Sequence, residues 1–302
     1  MRIILIGQAA FAEKVLDGLR AHGHDVVAVY CPPDQGARPD PVKVRALALG
    51  LPVRQHKSLK APAVQQEFVA YGADLGVLAY VTQIVPPPVF EAPRLGSICF
   101  HPSPLPRYRG GSAINWQIIK GETETAVSVF WVDPGIDTGP VLVQKSAPIG
   151  PDDTAASLYY DTLFAIGVEA VLEAVQLVAA GKAPRIPQDE SRATYDPLCR
   201  DEHARIDWAR SLREVYNLVR GCDPQPGAYT MLEGSPLRLY DARAVSAGPG
   251  RPGVVERVTP EGMVIGLRDG ALHVKRVRYG AEKLDAAAFA AARGLTPGAQ
   301  LG

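Results

Sequence analysis

The sequence predicts an α/β fold in which a doubly wound parallel sheet is followed by a small β-barrel. Residues 2–7 and 25–30 are short apolar runs separated by a helical pattern, which indicates a βαβ unit. Three further apolar runs alternate with helical stretches and extend the sheet. After Trp208 the pattern changes to short alternating segments separated by Gly and Pro, which is typical of a small barrel.

In the first part of the chain, the residues between the two strands predict a helix with one apolar face. Phe11, Val15, Leu16 and Leu19 recur at helical spacing. Two more helices are predicted over 41–49 and 62–71, and the later strands over 73–80, 96–101 and 125–132.

In the second part of the chain, the tripeptide from Asp152 to Thr154 supplies N-cap candidates for a long apolar helix that ends at Gly181. Residues 182–195 are rich in charges and prolines and predict a connector at the surface. A short helix through Leu212 and Val219 follows. The barrel strands are predicted over 228–232, 237–245, 253–258, 262–267 and 271–277, and the Ala/Gly-rich tail after Leu284 as a loosely packed end.

Composition limits the possible classes of function. The sequence has 32 Lys+Arg and 32 Asp+Glu, so no overall positive field attracts nucleic acid, although a tRNA substrate is not excluded. The four cysteines lack CxxC spacing, which argues against a zinc site and a disulfide framework and fits a reducing cytoplasm. We find no signal-peptide pattern and no stretch long and apolar enough to span a bilayer, so we expect no membrane partner.

Gly7 lies where a dinucleotide fingerprint would lie, but it is the only one of the three required glycines. The pattern favours a tight strand-to-helix turn over NAD binding.

Two polar clusters follow apolar strands. In the segment SICFHPSPLPRYRGGSAINW (97–116), the predicted strand ends at His101 and a Pro- and Gly-rich loop follows. The segment DPGIDTG (133–139) follows another predicted strand and places Asp137 in a glycine-flanked turn. At one edge of a sheet, the two side chains can orient each other and move a proton. Residue pattern alone leaves both a catalytic and a structural role open.

HPSPLPRYRGGSAINW followed by DPGIDTG resembles the signature of the formyltransferases that use 10-formyltetrahydrofolate. The resemblance to the N-terminal hydrolase domain of 10-formyltetrahydrofolate dehydrogenase also includes AAGKAPRIPQ and ARIDWARSLREVYNLVRGCDPQPGAY. It implies a Rossmann-like catalytic domain over 1–204 and an OB-like β-barrel domain over 205–302. The aldehyde dehydrogenase part of that relative has no counterpart here, so we expect no oxidation of the formyl group by this chain alone.

The resemblance also implies a mechanism. A nucleophile attacks the formyl carbon, and a tetrahedral intermediate collapses to release tetrahydrofolate. His101 and Asp137 match the catalytic histidine and aspartate, and no metal is needed. Cys99 stands where the transferases have an Asn whose amide can donate to the oxyanion, and a thiol is a poor donor. Cys99 is interpreted as a small buried hydrophobe, with a reactive thiol as the alternative.

The remaining site residues are assigned by resemblance only. The folate-binding residues are Leu78, Ala79, Tyr80, Val81, Gln83, Val132, Asp133, Gly135 and Ile136, with Trp131 as a further apolar wall. The loop that faces the acceptor in relatives contributes Ser103, Arg107, Arg109 and Gly110, and the two arginines have the alternative of being solvated charges.

The implied function is removal of the formyl group of 10-formyltetrahydrofolate, with water, a small amine or a carrier thiol as acceptor. Methionyl-tRNA formyltransferase is the main alternative, and the missing Asn and the balanced charge argue against it. A folate-binding protein with little catalysis is a third possibility, which the presence of both His101 and Asp137 disfavours.

Overall fold

The computed structural model describes residues 1–36, 38–245 and 248–302. These residues form two compact units that are not continuous in the chain. The first unit contains residues 1–111, 125–147 and 161–195, and the second contains 112–124, 148–160 and 196–302. The boundary near residue 204 stays a prediction, because segments 112–124 and 148–160 group with the second unit.

A seven-stranded sheet with the order β3-β2-β1-β4-β5-β6-β7 forms the centre of the first unit. Its strands are β1 Arg2–Gly7, β2 Asp25–Cys31, β3 Val53–Gln55, β4 Leu75–Ala79, β5 Ser97–His101, β6 Glu124–Trp131 and β7 Val141–Pro148. Strands β1 to β5 pair in parallel, whereas β6 runs antiparallel to β5. The strand order reverses between β1 and β4, which is the topological switch point of a doubly wound sheet.

The strands predicted in this half are confirmed to within two residues at each end. Two strands were missed: β3 has only three residues, and β7 loses its apolar character after Val143. Both lie at the ends of the strand order, where a strand is covered less than in the centre and its sequence is less continuously apolar.

Three of the helices beside the sheet were predicted from the sequence: α1 Ala9–Ala21, α2 Pro41–Ala48 and α3 Pro62–Ala70. The four-residue helix α4 Pro87–Phe90 was not predicted. The apolar face of α1 is buried, and its Phe11 ring lies 4.3 Å from the ring of Phe100 on β5 and 5.6 Å from that of Phe164. This contact fixes α1 on the sheet below the end of β5.

The long apolar helix corrects one expectation. A separate short helix, α5 Ala113–Ile119, precedes β6. The predicted long helix is a continuous stretch of three parts, which are α6 Ala155–Ser157, a π-helix Leu158–Leu163 and α7 Phe164–Ala179. In the part of the chain that the structure describes, this 25-residue stretch is the one helix long and apolar enough to cross a membrane, with a mean hydropathy of 1.7 in its most apolar window. The expectation that no stretch qualifies was therefore wrong by length and composition. Its apolar residues include a face of α7 that is buried in the protein, with Leu172 packed against Gly18 of α1.

The second unit contains a six-stranded antiparallel sheet. Its elements are α8 Leu212–Gly221, β8 Tyr229–Leu232, β9 Ser235–Val245, β10 Val255–Thr259, β11 Gly262–Leu267, β12 Gly270–Tyr279, β13 Glu282–Asp285 and α9 Ala286–Ala292. All five predicted strands are present. Ser211 and Glu214 form a capping box at the start of α8, and the hydrogen bonds from Ser211 lower the pKa of Glu214 to about 2.

The C-terminal tail is not loosely packed, so that expectation was wrong. β13 pairs with β12, and α9 buries Phe289 and two alanines in the core of the second unit. Leu301 is 1% exposed, and its backbone N–H donates to Gly253. The alanine-rich composition had suggested a loosely packed tail, but the small side chains instead allow α9 to pack closely.

Gly7 is required by a close approach of two strands. A Cβ atom at this position would lie 2.2 Å from the carbonyl oxygen of Ala79 on β4. At the start of α1, the backbone N–H of Ala9 donates to both carboxylate oxygens of Asp40 at 3.0 Å. The protein's own carboxylate therefore holds the place that a phosphate takes in a dinucleotide site.

We predict that Gly7→Ala lowers the free energy of unfolding by about 3 kcal/mol, because the clash is with backbone and β1 and β4 must separate. Urea denaturation followed by circular dichroism measures this change. Gly248→Ala is the matched control, since a Cβ there meets no atom within 4 Å, and it should change the free energy by less than about 1 kcal/mol. Equal stability of the two variants would contradict the close-approach explanation.

Candidate active site

His101 is the last residue of β5 and is 6% exposed. Its Nε2 atom lies 2.8 Å from the carbonyl oxygen of Tyr108, which can only accept, so Nε2 carries a proton and donates. The Nδ1 atom is directed at Asp137, whose Oδ2 lies 3.5 Å away. The hydrogen bond at Nε2 thus leaves Nδ1 as the nitrogen that faces the carboxylate.

Asp137 reaches His101 by a route that the sequence did not reveal. Because β6 is antiparallel to β5, Trp131 at its end pairs with Ile98, and His101 pairs with Ser128. The loop after β6 therefore starts beside the beginning of β5 and returns about 10 Å along it to reach His101. The expectation that Asp137 follows its strand at the same edge as His101 was wrong, although the two side chains do meet.

The turn that contains Asp137 is held by hydrogen bonds from three directions. The backbone N–H of Gly110 donates to Asp137 Oδ2 at 2.8 Å, and the Tyr195 hydroxyl donates to the carbonyl of Ile136 at 2.8 Å. The amide of Gln188 donates to the carbonyls of Asp137 and Gly139 at 2.8 and 2.7 Å. The backbone of Asp137 has a φ of +57°, which residues with a Cβ atom rarely adopt. The hydrogen bonds around the turn stabilise this conformation.

Two buried polar side chains, Ser128 and Ser103, hold the loop after His101. Ser128 donates to the carbonyl of Ser103 at 2.6 Å and accepts from Gln144 at 2.9 Å. Ser103 is itself fully buried, and its hydroxyl donates to the carbonyl of Arg107 at 2.8 Å. Ser103 therefore shapes the loop, and its assignment to the loop that faces the acceptor stays a prediction.

Arg109 is also turned inward. Its guanidinium is 3% exposed and donates to both carboxylate oxygens of Glu190 at 2.9 and 2.6 Å and to Gln188 Oε1 at 3.2 and 2.8 Å. The hydrogen bond with Glu190 raises the pKa of Arg109 and lowers that of Glu190. Arg109 is thus not a solvated charge, and its guanidinium is engaged by Gln188 and Glu190. Arg107 lies with its guanidinium 5.1 Å from the ring centroid of Tyr108.

Cys99 lies on β5 opposite Phe130 of β6. It packs against the cluster of Leu105, Phe130 and Val141, and its thiol lies 3.5 Å from the carbonyl of Phe100. Burial, and secondarily the charge of Asp137, raise the pKa of the Cys99 thiol well above its ordinary value. This environment disfavours a thiolate and supports the interpretation as a packing residue.

Three of the predicted folate-binding residues, Leu78, Val81 and Val132, belong to or pack against one apolar core cluster that Cys99 also contacts, and we call these three residues the apolar patch. Leu78 is buried in a cluster whose partly exposed members include Val81, Cys99 and Val132. Tyr80 is 40% exposed with a φ of +60°. Ala79 is fully buried, whereas Gly135 and Ile136 are exposed on the Asp137 loop.

Three other predicted residues are engaged elsewhere. Asp133 accepts from the backbone N–H of Gly135 and the hydroxyl of Thr138, so it stabilises the loop. Gln83 donates to the carbonyl of His56 at 3.1 Å. Trp131 is buried, and its indole N–H donates to the carbonyl of Pro184. Trp131 is therefore not an exposed wall of a pocket.

A small cleft lies at the switch point of the sheet. Its lining includes Gly7, Cys31 and His56 together with Tyr80, Val81 and Gln83. His101 and Asp137 do not line this cleft. Val81 belongs to both the cleft and the apolar patch, whereas Leu78 and Val132 do not line the cleft. Within the ranges covered by the structure, no group of three or more His, Cys, Asp or Glu is arranged to hold a metal ion.

Sequence reasoning missed the polar residues that hold the two loops. These are Ser128, Gln144, Gln188, Glu190, Thr194 and Tyr195. The last four belong to the connector 182–195, which is exposed as predicted but also contacts both loops of the site. Gln188 is in the segment AAGKAPRIPQ, where only the tertiary contact with Asp137 distinguishes it from other polar residues.

Comparison with known proteins agrees with this architecture. Residues 1–175 match the sequence model of the formyl transferase family, and residues 199–294 match that of the formyl transferase C-terminal domain. Human mitochondrial 10-formyltetrahydrofolate dehydrogenase is 40% identical over 293 residues, which are 92% of this chain and 32% of that protein. The chain thus spans about a third of the length of that relative. Methionyl-tRNA formyltransferase of Geotalea uraniireducens (strain Rf4) is 38% identical over 309 residues, covering 100% of this chain and 98% of that protein.

Solved structures show the same fold. HypX from Aquifex aeolicus in complex with tetrahydrofolic acid superposes with a TM-score of 0.72 at 24% identity, over 96% of this chain and 47% of HypX. WlaRD, a sugar 3N-formyl transferase, superposes with a TM-score of 0.71 at 18% identity, over 93% of this chain and 98% of that protein. Because the family's sequence model matches more than half of the residues and relatives at 38–40% identity cover nearly all of them, the chain belongs to the formyl transferase family.

Proposed function

We propose that this protein is an enzyme that removes the formyl group from 10-formyltetrahydrofolate and releases tetrahydrofolate. The single observation that supports this most is the approach of His101 Nδ1 to Asp137 Oδ2 at 3.5 Å, at the end of a central strand and beside an apolar patch. Two relatives add support: one is a 10-formyltetrahydrofolate dehydrogenase, and one structure of the same fold holds tetrahydrofolic acid.

The pair of His101 and Asp137 is suited to take a proton from the attacking nucleophile. With Nε2–H donated to Tyr108, a neutral Nδ1 presents its lone pair to a carboxylate oxygen, which is repulsive. The 3.5 Å separation is longer than a direct hydrogen bond. A proton that arrives between Nδ1 and Oδ2 removes the repulsion and is shared by both groups.

The proposed reaction has two steps, attack on the formyl carbon and collapse of the tetrahedral intermediate. The oxygen, nitrogen or sulfur of the nucleophile forms a bond to the formyl carbon, its proton passes to the His101–Asp137 pair, and the formyl oxygen becomes an oxyanion. When the intermediate collapses, the bond from the formyl carbon to the folate nitrogen breaks, and that nitrogen receives the proton. The histidine and carboxylate are restored and tetrahydrofolate leaves.

The apolar patch of Leu78, Val81 and Val132 is the surface that we assign to the pterin ring. Cys99 packs against the same core cluster, and we propose that a ring bound at the apolar patch lies next to the reacting groups. Gly135 and Ile136 are exposed on the loop that contains Asp137 and can cover the ring from the other side.

The residue at position 99 bears on the acceptor of the formyl group, because Cys99 stabilises an oxyanion only weakly. A buried thiol donates poorly, so we propose slow transfer to water, a small amine or a carrier thiol. Methionyl-tRNA is the second candidate, because a methionyl-tRNA formyltransferase matches the chain over its full length.

We predict that His101→Ala and Asp137→Asn each reduce release of tetrahydrofolate at least about 100-fold, because both remove the proton acceptor. The dissociation constant for tetrahydrofolate, measured by calorimetry, should change by less than about threefold. His22→Ala and Asp161→Asn change exposed residues and serve as matched controls. Unchanged turnover in either site variant excludes that residue from the chemistry.

For position 99, we predict that Cys99→Ala changes turnover by less than about threefold, whereas Cys99→Asn raises it about tenfold by adding a donor for the oxyanion. Steady-state kinetics at saturating 10-formyltetrahydrofolate measure both effects. If Cys99→Ala loses activity while its circular dichroism spectrum is unchanged, the thiol has a covalent role. A formyl adduct on Cys99, detected by mass spectrometry, then identifies it.

The acceptor is tested by competition. The purified enzyme is offered 10-formyltetrahydrofolate with charged initiator tRNA, with small amines or with buffer alone. We expect slow release of formate in buffer, faster release with a small amine, and weak, strongly salt-dependent binding of tRNA. Formylation of methionyl-tRNA far above the buffer rate instead identifies the second candidate as the function.

A further inference from the structure

We propose that Gln188 is a positioning residue that sets Asp137 for proton transfer and thereby makes the connector 182–195 part of the active site. This inference rests on the proposed function of the His101–Asp137 pair. It assigns a role to a residue that lies 51 positions away from Asp137 in sequence.

The first step of the argument is that one side-chain amide holds both ends of the Asp137 turn. Gln188 Nε2 donates to the carbonyl of Asp137 at 2.8 Å and to that of Gly139 at 2.7 Å. Both distances are short for neutral hydrogen bonds, and both N–H groups of the amide are used. The peptide carbonyls on either side of Thr138 therefore cannot rotate without losing a hydrogen bond.

The second step is that Arg109 decides which way the amide points. Gln188 Oε1 accepts from Arg109 Nε at 3.2 Å and from Nη2 at 2.8 Å. A guanidinium can only donate, so the oxygen of the amide must face it and the nitrogen must face the turn. Glu190 holds the same guanidinium through both carboxylate oxygens, which restricts its rotation.

The third step concerns the strain of the turn. Asp137 has a φ of +57°, which is disfavoured for a residue with a Cβ atom and persists only where the surroundings impose it. Gly139 is confined as well, because a Cβ there would lie 1.7 Å from the carbonyl oxygen of Trp131. Without the amide, the turn can relax and move the carboxylate away from His101.

The fourth step is that the loop containing the same arginine also holds the carboxylate. Arg109 directly precedes Gly110, whose N–H donates to Asp137 Oδ2 at 2.8 Å. The residue whose guanidinium orients Gln188 is thus the sequence neighbour of the residue that donates to the carboxylate. The backbone and the carboxylate of Asp137 are therefore both held by groups of the Arg109 loop or by the side chain that Arg109 orients.

The test is Gln188→Glu, which keeps the size of the side chain and its acceptor for Arg109 but removes both donors to the turn. We expect kcat for tetrahydrofolate release to fall about ten- to a hundredfold, because a displacement of about 1 Å at a reacting group has that effect. KM for 10-formyltetrahydrofolate should change by less than about threefold. As the pH is lowered through the titration of the new carboxyl group, kcat relative to wild type should recover in part, since the protonated form regains one donor.

Gln176→Glu is the matched control, because it makes the same change of charge on the exposed side of α7 in the same unit. It should keep the kcat, KM and pH profile of the wild type. If Gln188→Glu does not fold, Gln188→Met removes the same two donors without adding a charge, and the same fall in kcat at unchanged KM is expected from it.

Hydrogen exchange separates this inference from the proposed function. Gln188→Glu should raise exchange in the peptide that covers 132–140 and leave the strands unchanged. If the wild type releases no tetrahydrofolate, the proposed function fails, and faster exchange in that peptide still supports the clamp on the turn. An active wild type with unchanged kcat in Gln188→Glu overturns the positioning role, as does faster exchange throughout the chain.

Discussion

The antiparallel pairing of β6 with β5 is the constraint on which the site depends. Because Trp131 lies opposite Ile98, the chain leaves the sheet at the wrong end for a carboxylate that must meet His101. The following loop has to return along β5, and it does so through a left-handed residue, Asp137. A turn of this kind is not stable by itself, so its stability has to come from side chains elsewhere in the chain.

Those side chains come from a segment that has little regular structure of its own. The connector 182–195 supplies Gln188 and Tyr195 to the Asp137 turn and Thr194 to Tyr108. Arg109 joins the two loops through its contacts with Gln188 and Glu190. The polar groups that the loops bury are thereby satisfied, which allows a loop to be placed as precisely as a strand.

The two members of the candidate catalytic pair, His101 and Asp137, are held in different ways, and this difference bears on the proposed proton transfer. His101 is on a strand, and the hydrogen bond to Tyr108 fixes which of its nitrogens faces Asp137. Asp137 is on a loop and lies just beyond hydrogen-bond distance of that nitrogen. A small movement of the loop is then enough to change how a proton is shared. Relatives with this fold are named for acceptors as different as a sugar and a methionyl-tRNA, so the fold by itself does not identify the acceptor.

The sequence by itself determined the periodic elements and pointed to the two side chains that meet in the candidate site. Continuous apolar runs such as RIILIG predicted the central strands, since a strand buried on both faces has to be apolar, and the apolar face of α1 predicted its packing. HPSPLPRYRGGSAINW and DPGIDTG identified His101 and Asp137 by resemblance. Only the tertiary structure decided the direction of β6, the inward turn of Ser103 and Arg109, and the role of Gln188. Strand direction and long-range hydrogen bonds leave no local pattern, because the partners are brought together by the path of the chain and not by their spacing in it.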